Sequence, residues 1–148
     1  ALFDRSVSCA SEVEQYNGNM VFEGIIANSK AALEQGVPVA LGNDVGCPWI
    51  TQYDFWRELR YFEKYVGVSR SFALHTATLR NAQLAGVGDV TGSIEVGKDA
   101  DMIVVDANPL DNLCALRTPK HVIHRGRLIA KPNVKRNAVV DRELDKFL

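Results

Sequence analysis

Apolar residues recur at helical spacing from Met20 onward, where Phe22, Ile25, Ile26 and Leu33 share one face. Gly36 stands where such a helix stops, since glycine enters the left-handed conformation without a side-chain clash. Val37 to Leu41 follows as a short apolar run with no alternation, the pattern of a strand buried on both faces of a parallel sheet. Pro38 is tolerable there because it lies beside the strand's first residue. Thr51, with Asp54 three positions on, approximates a capping box and predicts a second helix from about Thr51. Phe55, Leu59, Phe62 and Val66 form its apolar stripe, and Gly67 ends it. Ser69 caps a third helix running to about Ala85, with Phe72, Thr76, Leu79 and either Ala82 or Gln83 along one side.

Beyond Val87 the texture changes. In "TGSIEVGKDADMIVVDANPL" turn residues bracket short apolar pieces, which predicts strands at Ser93–Val96 and Asp101–Asp106. "HVIHRGRLIA", His121–Ala130, reads as a hairpin turning at Arg125-Gly126. Residues 138–148 form a terminal helix or tail with Val140, Leu144 and Phe147 on its apolar side. Residues 1 to 19 carry no clear period, and Asn17-Gly18-Asn19 reads as a turn. The chain therefore divides into residues 1–88, 89–137 and 138–148. Helix, buried strand, helix is the unit of an α/β fold. One parallel strand leaves its own backbone groups unpaired. Either residues 1 to 20 hold a second strand, or the neighbours lie outside this chain.

Composition narrows the class. The chain has 148 residues, enough for a sizeable core, with 47% hydrophobic and 24% charged residues. At a net charge of -1 no global field argues for nucleic acid or an acidic membrane as a partner, and neither is expected. The basic stretch Arg125, Arg127, Lys131, Lys135 and Arg136 lacks interleaved aromatics and reads as a solvated face. Cys9, Cys47 and Cys114 are odd in number and widely spaced, which is neither a disulfide framework nor a zinc knuckle. A reducing, cytoplasmic setting is the simplest reading, with no apolar run long enough to span a membrane. The opening Ala-Leu-Phe-Asp, without methionine, reads as a cut or processed start.

Chemistry centres on Gly42-Asn43-Asp44, which closes the Val37–Leu41 run. Asp44 is either a turn residue, for which Asn-Asp after glycine is good chemistry, or a carboxylate held at a strand end. Trp49 and Tyr53 follow in the same loop and either line a pocket or pack beneath it. Cys47 has no histidine near it in sequence to activate a thiol nucleophile. His75 falls within the third helix and reads as a packing residue. His121 and His124, three apart on a strand, face opposite ways and make a poor pair for one ion.

Several of these stretches resemble one family. "GVPVALGNDVG" is similar to the last barrel strand of metal-dependent amidohydrolases and its aspartate, and "ALHTATLRNAQLAG" to the helix that follows. "GSIEVGKDADMIVVDANPLDNL" resembles the family's closing signature, and "HVIHRGRLI" its last sandwich hairpin. The wording "NPLDNLCALRTPKHVIHRGRLI" is most similar to the imidazolonepropionase-like and Xaa-Pro-dipeptidase-like branch.

The resemblance implies the final strand and helices of a (β/α)8 barrel in residues 1–88, followed by part of a small β-sandwich in 89–137. A whole barrel needs about 250 residues, so the chain is expected to be a C-terminal portion. It implies a hydrolase of carbon–nitrogen bonds, acting on a small molecule or peptide through water activated by a divalent metal, zinc. Asp44 would be metal ligand and general acid/base, with the family's histidine ligands unassigned here. Asn43 departs from the hydroxyl residue expected at its position. This portion should be inactive alone, and should associate with the missing N-terminal portion or with copies of itself. The alternative is a non-catalytic oligomerising module that reuses the same piece.

Overall fold

The computed structural model describes residues 11–47 and 49–148. A second strand among the first residues, and Cys9, lie largely or wholly outside that range. Two units arise, one from residues 11–38 with Arg136–Leu148 and one from Val39–Lys135.

In the first unit, α1 runs over Glu12–Glu34. Ser11 and Glu14 form a full capping box: the Ser11 hydroxyl accepts from the Glu14 amide at 3.3 Å, and the Glu14 carboxylate accepts from the Ser11 amide at 2.7 Å. These bonds lower the Glu14 carboxyl below its ordinary range, the backbone bond first. The helix thus starts well before Met20, and Asn17-Gly18-Asn19 is helical rather than a turn. Local turn propensity is a weak term that a capped 23-residue helix overrides. At the other end Gly36 has φ 72, its amide bonds the Leu33 carbonyl, and the Val37 amide bonds the Ala32 carbonyl. This is a Schellman motif. Of the expected face, Ile26 and Leu33 are half-buried, while Phe22 and Ile25 are exposed together with Val13, Tyr16, Met20 and Val21. Helix α5, Ala138–Asp145, is capped by the Asn137 side chain, which accepts from the Val139 and Val140 amides. Its Val140, Leu144 and the following Phe147 are half-buried.

The second unit opens with residues 39–44 in no regular element and joined to no sheet. The Val37–Leu41 strand is therefore absent as a paired element. A ladder needs a neighbour, and the sheet of this unit is built elsewhere in the chain.

Helix α2 spans Phe55–Tyr61 and continues through a π-helical turn at Phe62–Val66 to Gly67, whose φ is 89. It begins four positions later than the sequence suggests. Thr51 donates its hydroxyl to Asp54 at 2.8 Å, yet the pair closes a turn before the helix instead of capping it. Ser69 caps α3, Arg70–His75, accepting from the Phe72 amide, and a π-helical turn, Thr76–Arg80, leads into α4, Asn81–Leu84. The predicted stop is met by a second Schellman motif: Gly86 has φ 73 and the Val87 amide bonds the Ala82 carbonyl.

The core of this unit is Trp56, Leu59, Phe62, Ala73, Ala82 and Leu113. Of the predicted stripes Leu59, Phe62, Thr76 and Ala82 are buried and Phe55, Val66 and Leu79 half-buried, whereas Phe72 and Gln83 are exposed and Trp56 and Ala73 belong to neither stripe. Leu113 arrives on a 3-10 helix, Leu113–Arg117, that packs on α2. Arg57 is buried as well, at 2% exposure, beside Asp54 at 5%. Its Nε lies 3.4 Å from the Asp54 carboxylate, and its guanidinium stacks 4.7 Å from the Trp56 ring centre.

Strands β1 (Met102–Val104), β2 (His121–His124) and β3 (Arg127–Ile129) form an antiparallel sheet in that order. Val122 pairs with both Ile103 and Ile129. The hairpin turns at Arg125-Gly126, with φ 47 and 76, as the sequence predicts. The Ser93–Val96 strand is absent: that stretch is a turn, and Ile94 and Val96 are exposed. Four alternating residues without a partner ladder do not form a strand.

Candidate functional site

Asp44 sits beyond the apolar segment in the left-handed conformation, φ 49, exposed to solvent. Aspartate tolerates that region better than most residues because its short polar side chain bonds locally. The Cys47 thiol supplies such a bond, donating to Asp44 Oδ2 at 3.3 Å, while the Cys47 amide meets the Asp44 carbonyl at 3.4 Å. The hydrogen bond and the negative charge of Asp44 push the Cys47 thiol above its ordinary range. Trp49 also has positive φ, 70, which a bulky residue adopts rarely. Trp49 and Tyr53 are both half-buried further along the loop.

Both ends of this loop are fastened. At its start the Asn81 carboxamide grips Leu41 twice: Oδ1 accepts from the Leu41 amide at 2.9 Å, and Nδ2 donates to the Leu41 carbonyl at 2.8 Å. At its end the Asn43 side chain donates to the Thr51 carbonyl at 3.5 Å. Thr51 in turn holds the buried Asp54. Sequence reasoning missed Asn81. The available signal was an asparagine inside a helix, where its carboxamide competes with the backbone and usually has another partner.

The structure brings Asp44 and Cys47 into contact but does not gather the remaining candidates. His75 is exposed on α3 and not packed into a helix contact. His121 Nδ1 meets the Ala130 carbonyl at 2.8 Å, whereas His124 Nδ1 meets Asp101 Oδ1 at 2.9 Å. The two imidazoles thus serve different partners. Among the described residues no three His, Cys, Asp or Glu side chains stand close enough to hold a metal ion. Asp44 is one hard oxygen donor and not a site by itself. No helix among them is long and apolar enough to cross a membrane.

The closing stretch acts through hydrogen bonds. Asp101 accepts from Thr91 Oγ1 at 2.9 Å, from the Arg125 amide at 2.8 Å and from His124. These bonds, the Arg125 amide first, hold its carboxyl below the usual range. Asn108 accepts from the Leu110 amide, and Asn112 accepts from the Cys114 amide to start the 3-10 helix. Arg70 reaches the Leu110 carbonyl at 3.1 Å and the Asp111 carbonyl, while its Nε meets Glu63 at 2.6 Å. The "DADMIVVDANPLDNL" wording is thereby a set of turn and cap instructions.

With this geometry in place, comparison with known proteins gives the class. Residues 6–129 match the amidohydrolase family, and the chain belongs to it. Imidazolonepropionase from Thermoplasma volcanium is 27% identical over 105 residues, covering 69% of this chain and 26% of that protein. A 5-methylthioadenosine/S-adenosylhomocysteine deaminase from Teredinibacter turnerae is 38% identical over 89 residues, covering 55% of this chain and 20% of its own length. Among solved structures, a candidate prolidase from Bifidobacterium longum superposes with a TM-score of 0.92 at 40% identity, over 99% of this chain and 36% of that one. A Xaa-Pro dipeptidase superposes at 0.69 with 31% identity, over 82% of this chain and 29% of that one. The chain thus spans about a quarter of the first of these curated relatives and a fifth of the second. The imidazolonepropionase and Xaa-Pro dipeptidase names match the branch that the closing signature resembles.

Proposed function

We propose that this chain is the C-terminal part of an enzyme that hydrolyses carbon–nitrogen bonds, with Asp44 as its catalytic carboxylate. In this reading residues 1–88 complete a (β/α)8 barrel, 89–137 add strands to a β-sandwich, and 138–148 form a terminal helix. Family membership supports the reaction class, as do the names of the relatives: a dipeptidase, a cyclic-amide hydrolase and a deaminase all cleave carbon–nitrogen bonds. The observation that carries the role of Asp44 is its position. It follows a fastened apolar segment, stands exposed with φ 49, and holds a neighbouring thiol on its carboxylate. Barrel enzymes collect their reacting groups at such strand ends.

A divalent cation, zinc by resemblance, supplies a more acidic water and a polarised substrate carbonyl when bound. Asp44 would offer one oxygen toward that cation, with the remaining ligands supplied elsewhere in the whole protein. The Asp44 carboxylate then takes the proton of the attacking water and passes it to the departing nitrogen. Trp49 and Tyr53 bound the substrate side of the loop. The substrate class is a small amide or peptide, an Xaa-Pro dipeptide being the first to test. The free thiols of Cys47 and Cys114 suit a cytoplasmic setting.

The test uses the whole enzyme with zinc and three probes: an Xaa-Pro dipeptide, a cyclic amide and an aminopurine nucleoside. One of them is turned over, and Asp44→Asn lowers kcat by roughly 10²- to 10⁴-fold. Wild-type turnover in D44N, or no turnover of any probe by the intact enzyme, overturns the reading. A second reading, an oligomerising module without activity, is favoured by the exposed Val13, Tyr16, Met20, Val21, Phe22 and Ile25 of α1. Light scattering tests it: a defined oligomer of this chain supports it, and a monomer removes it.

A further inference from the structure

We infer that Asn81 is a positioning residue for the Asp44 carboxylate, acting through the backbone of Leu41. This rests on the reading of Asp44 given above. Asn81 is forty positions from Leu41 in sequence, yet its carboxamide satisfies both backbone groups of that one residue, at 2.9 and 2.8 Å. A primary amide carries a donor and an acceptor side by side, the same pair that an adjacent strand presents. Asn81 therefore does for Leu41 what a neighbouring strand does in a ladder. The contact is partly buried, so water competes poorly for either group.

Its placement gives the contact a consequence. Leu41 lies three residues before Asp44, and only Gly42 and Asn43 separate them. Gly42 has no side chain to pack and open space where a Cβ would stand, so its direction is set by the residues held on either side of it. Asn81 holds the chain on one side of Gly42 and the Asn43–Thr51 bond holds it on the other, so the two anchors together fix the direction in which the chain enters Asp44. Asn81 itself is rigidly seated: it opens α4 directly after the π-helical turn at Thr76–Arg80, with the buried Ala82 beside it and the buried Thr76 donating its hydroxyl to the Phe72 carbonyl at 2.8 Å. π-helical turns reset the direction of the side chains beyond them. The one here precedes the residue that reaches across to Leu41.

Two variants of the whole, zinc-loaded enzyme test the inference. Asn81→Leu keeps the shape and removes both bonds. Asn81→Asp keeps the acceptor for the Leu41 amide and removes the donor to its carbonyl. In N81L, kcat falls by about 10²-fold, the loss expected when a reacting group is misplaced by about 1 Å, while KM stays within about twofold. N81D falls less far. Hydrogen exchange at the Leu41 amide, read independently of activity, speeds up at least tenfold in N81L and stays near wild type in N81D. A purely structural role would lower the melting temperature and leave kcat per folded molecule unchanged. That result, or unaltered exchange at Leu41 in N81L, overturns the inference. Failure of the Asp44 reading is distinct: then D44N itself stays active, whatever N81L does.

Discussion

Asp101 binds the backbone of Arg125, its Oδ1 accepting from the Arg125 amide at 2.8 Å across the mouth of the β2–β3 hairpin. The residue just before β1 thereby fixes the turn of a hairpin more than twenty positions away. His124 and Thr91 donate to the same carboxylate, and the Gly126 amide reaches the neighbouring Ala100 carbonyl at 3.1 Å. One ionised side chain ties together three segments.

That arrangement has a pH signature. The folded Asp101 carboxyl titrates below its ordinary range, so the unfolded chain binds the proton more tightly. Its stabilising contribution is present above the ordinary aspartate value of about 4 and is lost as pH falls through the lowered folded value. Asp101→Asn should melt at lower temperature than wild type at pH 7. The gap should close as melts are repeated down to acidic pH. A gap that stays constant with pH refutes the assignment.

Arg57 and Asp54 make a second prediction. Both are buried, and the guanidinium lies against Trp56. Removing one member of a buried pair strands the charge of the other. Arg57→Ala should destabilise the fold by about 3 kcal/mol, read from urea unfolding. A loss below about 1 kcal/mol, the range of exposed pairs, would show that the two charges are not coupled.

Gly92 should not accept a side chain. A Cβ there would come within 2.6 Å of the Ala82 Cβ and 3.1 Å of the Leu79 Cα, at φ +94. Gly97 has nearly the same φ, +97, but open space. Gly97→Ala should cost only the backbone strain, about 1 kcal/mol, whereas Gly92→Ala adds overpacking of about 1–3 kcal/mol. Equal melting temperatures for the two variants would contradict the close approach.

Arg70 joins α3 to the 110–111 turn through the Leu110 and Asp111 carbonyls and to Glu63 on the preceding helical segment. Lysine offers no planar fork for these partners. Arg70→Lys should therefore lose nearly as much stability as Arg70→Ala, about 1 kcal/mol by thermal melting. Full retention of stability in the lysine variant would mean that charge alone suffices.

How legible the protein was differs by segment. Hairpin β2–β3 was readable because Arg125-Gly126 needs two left-handed residues and strands flank it. Glycine stops at Gly36, Gly67 and Gly86, and the buried Leu59, Phe62, Thr76 and Ala82, were readable because 3.6-residue spacing and left-handed caps are local properties, whereas the exposure of Phe72 and the burial of Trp56 were not. The α1 start was hidden, since Asn17-Gly18-Asn19 signals a turn while the Ser11–Glu14 box governs. Asp44 was legible as a candidate from its place after an apolar run, and family resemblance sharpened it.

Sequence alone determined where the helices stop, the Ser69 cap, the hairpin and the residue types available for chemistry, because each depends on neighbours within a few positions. Tertiary structure decided that Val37–Leu41 joins no sheet, that Arg57 goes inside, and that Asn81 meets Leu41. Those outcomes depend on groups forty or more positions apart, or on packing around Trp56, and no local pattern encodes which distant partner satisfies a backbone amide or a buried charge.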